Sequence, residues 1–213
     1  MILLTAAKMP DGLDKSILAD AVGLMFSNPE NKEYFEKIRK RDSESSACES
    51  LFALALLYEQ ICNLPCPVDA STLVFEQGEC GKPYFKDSDV KFNVSHSKSY
   101  VACAVSLGEE LGIDMEAAEV SRERAEKLAK RYFCEEEQNE VLKNHEIFAR
   151  KWTEKESRAK FFGESIGNIL YNDKIRAKNS FFDQIVLHKF SFDNIPITLC
   201  TKRDFSTIIF TVQ

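Results

Sequence analysis

Glycine and proline are scarce in this chain, 8 and 6 in 213 residues, which excludes the breaker-rich compositions of linkers and disordered tracts. No two of its 7 cysteines form a Cys-x-x-Cys pair, and the odd number fits neither a disulfide framework nor a structural zinc site. Reduced thiols in a cytoplasm are the simpler reading. No apolar run approaches the length of a membrane span. The short run at Met1 to Leu4 gives way at once to Thr5-Ala6-Ala7-Lys8, so no signal-peptide core is expected and the protein should be soluble. Excess positive charge is also missing: the net charge is -6 and the pI about 5.3, which argues against a long polyanion as partner of the whole chain while leaving room for local basic patches. The sequence has no Gly-x-Ser-x-Gly elbow, which argues against a serine hydrolase.

What is present is an ordinary globular composition, 44% hydrophobic and 29% charged, in a chain long enough for a substantial core. Residues 2–7 read as a strand, and residues 32–40 as a charged helix. Across residues 46–62 the apolar positions Ala47, Leu51, Leu54, Ala55, Tyr58 and Ile61 recur at helical spacing, and Pro65 and Pro67 end the run. Short strands are expected at 73–76, 90–94, 100–107 and 111–116, with a seam between two halves near 107–110. Residues 122–143 have helical composition with a break near Phe133 and Cys134. Residues 146–162 are helical again and stop at Gly163 and Gly167. Residues 181–212 read as a small antiparallel meander, divided at Asp193-Asn194 and Lys202-Arg203-Asp204.

Within Gly112-Ile113-Asp114-Met115-Glu116, strand alternation places the two acids on one face and Ile113 and Met115 on the other. At about 4 Å and an effective dielectric of about 20, two carboxylates repel by about 4 kcal/mol, so close approach calls for a cation or a shared proton. Ligation by oxygen alone suits Mg²⁺. An isolated Asp-x-Glu is more often a pair of solvated acids on an edge strand. The helical stretch from Phe148 to Lys160 carries Trp152, Lys155, Glu156 and Lys160 in one broad stripe, either a solvated face or a third carboxylate with a lysine to neutralise phosphate. Ser95-His96-Ser97, read as a turn closing a strand, offers hydroxyls, amides and an imidazole to phosphate oxygens.

Three blocks taken together, Gly81-Lys82-Pro83 with Phe92-Asn93-Val94-Ser95-His96-Ser97, Gly112 to Glu116, and Phe148-x-x-x-Trp152-x-x-Lys155-Glu156-Ser157-x-x-Lys160, resemble the signature motifs of the 4′-phosphopantetheinyl transferases. Ala129-Lys130-Arg131-Tyr132-Phe133 resembles the longer type, similar to surfactin synthetase-activating enzymes. The resemblance implies an α+β fold of two similar halves related by a pseudo-twofold, residues 1–108 and 109–213, with coenzyme A between them. It implies transfer of phosphopantetheine from coenzyme A to a serine of an apo acyl or peptidyl carrier protein, releasing adenosine 3′,5′-bisphosphate. A coenzyme A- or carrier-binding module without catalysis, and another Mg²⁺-dependent phosphoryl enzyme, are the alternatives.

By the same resemblance Asp114, Glu116 and Glu156 hold Mg²⁺, and Lys160 and His96 contact phosphate. Lys82, Pro83 and Ser95 lie near the adenine and 3′-phosphate, and Lys155 supports the anionic pocket. Glu156 is the expected general base, with Glu116 its rival. One departure stands out: an arginine that the longer members carry early in the helix at 43–62, where it helps hold the 3′-phosphate, is replaced by Ser45 or Ser46. Lys37, Arg39, Lys40 or Arg41 could compensate. Arg122, Arg124, Lys127, Lys130 and Arg131 form a basic stretch suited to steering an acidic carrier protein toward a monomeric enzyme.

Overall fold

The computed structural model describes residues 1–169, 185–202 and 207–213. The expected strand start at 181–184 and the turn residues Arg203 and Asp204 lie outside the described residues.

The chain opens with β1 (Ile2–Lys8), followed by α1 (Lys15–Met25), α2 (Lys32–Arg39) and α3 (Glu44–Cys62). A small hairpin of β2 (Phe75–Gln77) and β3 (Pro83–Phe85) leads into β4 (Val90–Ser97) and β5 (Tyr100–Leu107). Then come β6 (Leu111–Met115), α4 (Arg122–Tyr132), α5 (Glu135–Lys143), α6 (Ile147–Phe162), β7 (Ile185–Phe192), β8 (Ile195–Lys202) and β9 (Ile208–Val212). The fold is α+β. One sheet has the order β4-β5-β1-β9 and another the order β6-β8-β7. In the first sheet β5, the second strand of the β4–β5 hairpin, pairs antiparallel with the leading strand β1. In the second, β8 of the β7–β8 hairpin pairs antiparallel with the leading strand β6, and among the described residues helices lie between leading strand and hairpin in both cases.

The nearly continuous apolar run of β1, interrupted only by Thr5, follows from burial on both faces. Leu3 and Ala7 join Val101, Cys103 and Val105 beneath the first three helices, where Phe26, Phe75, Phe85 and Phe92 form a chain of packed rings. Ile2, Leu4 and Ala6 face the other way, against Leu111, Ile113, Met115, Ile197 and Leu199. A third cluster, Ala125, Ala129, Phe133, Val141 and Phe148, holds α4 and α5 on α6, with Trp152 stacked on Phe148 at 5.5 Å.

The sequence reading needs three local corrections. Helix α1 does not figure in it. Asp14 caps α1 through bonds to the amides of Ser16 and Ile17, but Ile17 and Leu24 face solvent and spoil the apolar stripe that Ala19 and Val22 begin. Ser95, His96 and Ser97 belong to strand β4 and not to a turn. The chain reverses one step later, at Lys98 and Ser99, both at positive φ (49° and 67°), the backbone of a tight hairpin turn. The last strand also leaves the expected meander: β9 runs parallel to β1, with Leu4 opposite Phe210.

Candidate active site

The site forms where β4, β6 and α6 meet. Strand β6 runs beside β4 in the same direction, but the amides facing β4 are met by side chains. Asn93 Oδ1 accepts from the Ile113 amide at 2.8 Å, Ser95 Oγ from Met115 at 3.2 Å, and Ser97 Oγ from Ala117 at 3.1 Å. The Glu116 amide turns the other way, to the Pro196 carbonyl.

On the opposite face of β6, Gly112 lets α6 approach closely. A Cβ there would collide with the Ser157 carbonyl and the Phe161 amide. Thr153 of α6 and Thr198 of β8 share a hydroxyl bond of 2.9 Å, which fixes the helix along its axis. This registration brings Glu156 and Lys160 onto Asp114. Lys160 Nζ lies 2.7 Å from Asp114 Oδ1 and 3.0 Å from Ser95 Oγ, and Ser95 Oγ donates to the same Oδ1 at 2.8 Å. Asp114 is only 2% exposed. Glu116 Oε1 accepts from Ser97 Oγ at 2.8 Å and from the Ala118 amide at 2.7 Å.

Burial and the neighbouring Asp114 charge push the Glu156 carboxyl up to about 7, against the pull of Lys160 and a hydrogen bond from Trp152. Crowded carboxylates that resist joint ionisation are a donor set suited to a hard divalent cation. The described residues contain no preassembled cluster of three such ligands, and the Lys160 ammonium supplies the positive charge against Asp114.

A cleft of about 370 Å³ opens over these groups, with Arg41, Ser50, His96, Gly81 and Pro83 along its other side. His96 Nδ1 is 2.8 Å from Glu49 Oε2 and its Nε2 is 3.2 Å from Ser50 Oγ, to which Arg41 Nη1 donates at 2.6 Å. Glu49 Oε1 accepts from the Ser99 amide at 3.0 Å and from Ser45 Oγ at 3.2 Å. Burial lowers the His96 pKa although Glu49 works to raise it. Of the four basic residues that could replace the missing arginine, Arg41 lines the cleft. Lys37 pairs with Glu33, Arg39 with Asp20 and Glu36, and Lys40 with Glu36, all on the helical surface.

Two expected residues are turned elsewhere. Lys82 Nζ bonds Glu110 Oε2 and the Leu111 carbonyl, each at 3.0 Å, and so ties the loop before β3 to the seam. Lys155 is 2% exposed, 3.0 Å from Glu137 of α5 and 5.1 Å from the Phe133 ring centre. Glu49 and Ser50 form part of the site without having been singled out in the sequence, since they sit on a helix whose pattern signals only core. Ser97, read in the sequence as a phosphate-binding hydroxyl of a turn, instead meets Glu116 and the Ala117 amide, two residues beyond Ser95 on one strand face.

Comparison with known proteins meets the same residues. Residues 110–207, which hold Asp114, Glu116, Glu156 and Lys160, match the family model described as the 4'-phosphopantetheinyl transferase superfamily. The chain is 29% identical over 171 residues to the 4'-phosphopantetheinyl transferase gsp of Aneurinibacillus migulanus, covering 78% of this chain and 68% of that protein. It is 29% identical to the 4'-phosphopantetheinyl transferase Sfp of Bacillus subtilis (strain 168), over 72% of this chain and 67% of that protein. Against the 4'-phosphopantetheinyl transferase AcpT of Escherichia coli O157:H7 the identity is 31%, over 64% of this chain and 70% of that protein. With likeness of this extent, and with the family model spanning Asp114, Glu116, Glu156 and Lys160, the chain belongs to the 4'-phosphopantetheinyl transferase superfamily and is an enzyme of that family.

Proposed function

We propose that the protein transfers the 4′-phosphopantetheine group of coenzyme A to a serine hydroxyl of an apo carrier protein, in a Mg²⁺-dependent reaction that releases adenosine 3′,5′-bisphosphate. The observation that carries this reading is the convergence of Asp114, Glu156 and Lys160 at one side of a cleft lined on the other by Arg41, Ser50 and His96. Its two sides come from α3 and β4 and from β6 and α6. We read residues 1–108 and 109–213 as two pseudo-twofold halves sharing one active site, in keeping with their repeated element order.

Asp114, Glu116 and Glu156 would hold Mg²⁺, which when bound draws charge from the attacked β-phosphorus and from the leaving phosphate. Lys160, next to Asp114, adds a fixed positive charge for the developing phosphate negative charge. His96, with Nδ1 held by Glu49, would donate to phosphate from Nε2 in its protonated form, which the Glu49 carboxylate favours. Arg41 takes the place of the absent early-helix arginine at the 3′-phosphate, with Ser50 beside it. Glu156 is the proton acceptor for the carrier serine, directly or through a metal-bound water. Pro83 shapes the rim of the cleft, while Lys82 and Lys155 support it through the contacts they already make.

Carrier docking is assigned to the basic face of α4, where Arg124, Lys127 and Arg131 lie together around Leu128, with Arg122 and Lys130 adding charge. The working form is a cytoplasmic monomer. The test is to incubate the protein with Mg²⁺, coenzyme A and several apo carrier proteins and to weigh the carriers by mass spectrometry. A gain of one phosphopantetheine on at least one carrier is expected, abolished by EDTA and by Glu156→Ala. No gain on any carrier rejects the proposal.

A further inference from the structure

The side-chain ladder between β4 and β6 does more than join two strands. A serine hydroxyl has one proton to give and two lone pairs to receive. Ser95 receives the Met115 amide and the Lys160 ammonium and gives its proton to Asp114 Oδ1, so its hydrogen-bonding capacity is fully used inside the protein. Ser97 receives the Ala117 amide and gives its proton to Glu116 Oε1. In both cases the hydroxyl grips the backbone of one residue and the carboxylate of the residue before it. Asn93, the first rung, grips the Ile113 amide and bonds no carboxylate.

We propose that Ser95 and Ser97 are positioning residues that set the orientation of Asp114 and Glu116 from the neighbouring strand, so that one oxygen of each carboxylate is held by protein donors and the other is presented for ligation. This rests on the reading of Asp114 and Glu116 as metal ligands. The physical reason is that a carboxylate on a strand turns freely about its terminal bond unless one oxygen is fixed. Donors placed behind ligating groups hold that orientation before the ion arrives. Ser97 is the cleaner probe, because Ser95 also touches Lys160. The arrangement further makes the ligands on β6 depend on a strand of the other half, so the site is complete only when the two halves are docked.

The experiment titrates Mg²⁺ by calorimetry into the full chain, alone and with coenzyme A at fixed concentration, for the wild type, Ser97→Ala, Ser97→Thr and Asn93→Ala. Ser97→Ala should weaken Mg²⁺ binding by about tenfold or more, the usual loss when a donor behind a ligand is removed. Ser97→Thr should restore binding. Carrier modification by Ser97→Ala should recover as Mg²⁺ is raised, whereas Asn93→Ala should lower the melting temperature with its Mg²⁺ affinity unchanged. A folded Ser97→Ala that binds Mg²⁺ like the wild type overturns the proposal. So does an Asn93→Ala that loses as much affinity as Ser97→Ala, since the ladder would then serve only adhesion between strands. Should Ser97→Ala not fold, Ser97→Cys, with a weak donor of similar size, is judged by the same criterion. Failure of the wild type itself to bind Mg²⁺ would strike the metal reading beneath both and is told apart by that control.

Discussion

At the scale of single residues, the site depends on one absent side chain and a few placed charges. Gly112→Ala should destabilise the protein by about 1–3 kcal/mol or more, because the new methyl meets helix backbone that can yield only by moving α6. Thermal unfolding and carrier modification should fall together, since the same shift takes Glu156 and Lys160 off Asp114. Arg41→Ala should leave stability nearly unchanged and raise the KM for coenzyme A about ten- to hundredfold, as expected for a charged hydrogen bond worth about 1.5–3 kcal/mol. It should also erase any preference over 3′-dephospho-coenzyme A, a comparison that isolates the phosphate from the rest of the donor. For Glu156 the sign follows from its raised pKa. The folded state holds the proton more tightly than the unfolded chain, so this stabilisation is complete below the unfolded value of about 4.5 and is lost as pH rises through about 7. In EDTA, Glu156→Gln should therefore flatten the decline in melting temperature between about pH 4.5 and pH 7, while Mg²⁺ should lift the wild type most at the upper end.

At the scale of elements, the sequence pattern was most legible where burial is one-sided. The helix expected at 46–62 appears as α3, and the break near Phe133 appears as Phe133 capping α4 and Cys134 opening α5. Alternation in β6 also holds, with Ile113 and Met115 in the core between the sheets and Asp114 on the side of α6. What alternation cannot reveal is that this second face is also covered, here by a helix that Gly112 admits, so the acids lie far from the solvated edge their spacing first suggests. Helix α6 hides its role for a related reason: Thr153, Lys155 and Ser157 are buried polar residues, each satisfied by a partner distant in sequence or by its own helix, and no periodicity of apolar residues marks them. Lys155 meets Glu137, whose own carboxyl burial would raise but which Lys155 and the Cys134 amide hold below the ordinary carboxylate range. Glu137→Ala should cost about 3 kcal/mol, the lower end for breaking a buried pair, and loosen α5 from α6. The sole tryptophan, Trp152, lies in that contact, so its fluorescence should report the loosening directly.

At the scale of the whole molecule, the two larger sheets are tied by a ladder of side chains between β4 and β6 and by a shared core, and β9 closes on β1. The ladder was present in the sequence as Asn93, Ser95 and Ser97 at every second position, but nothing in a linear pattern says which strand such side chains will face. The course of β9 was equally hidden, because a short apolar strand fits a meander as well as a distant parallel neighbour. Deleting residues 207–213 should bare the edge of β1, lower the melting temperature and promote self-association, seen as added mass in light scattering. The placement of β9 also bears on how the chain is made. Because β1 receives its outer neighbour from residues 208–212, its sheet stays open on that side until this segment has been made. Nascent chains held on the ribosome before residue 208 has emerged should therefore be more open to protease around β1 than folded protein, which makes emergence of β9 the step that seals the first sheet.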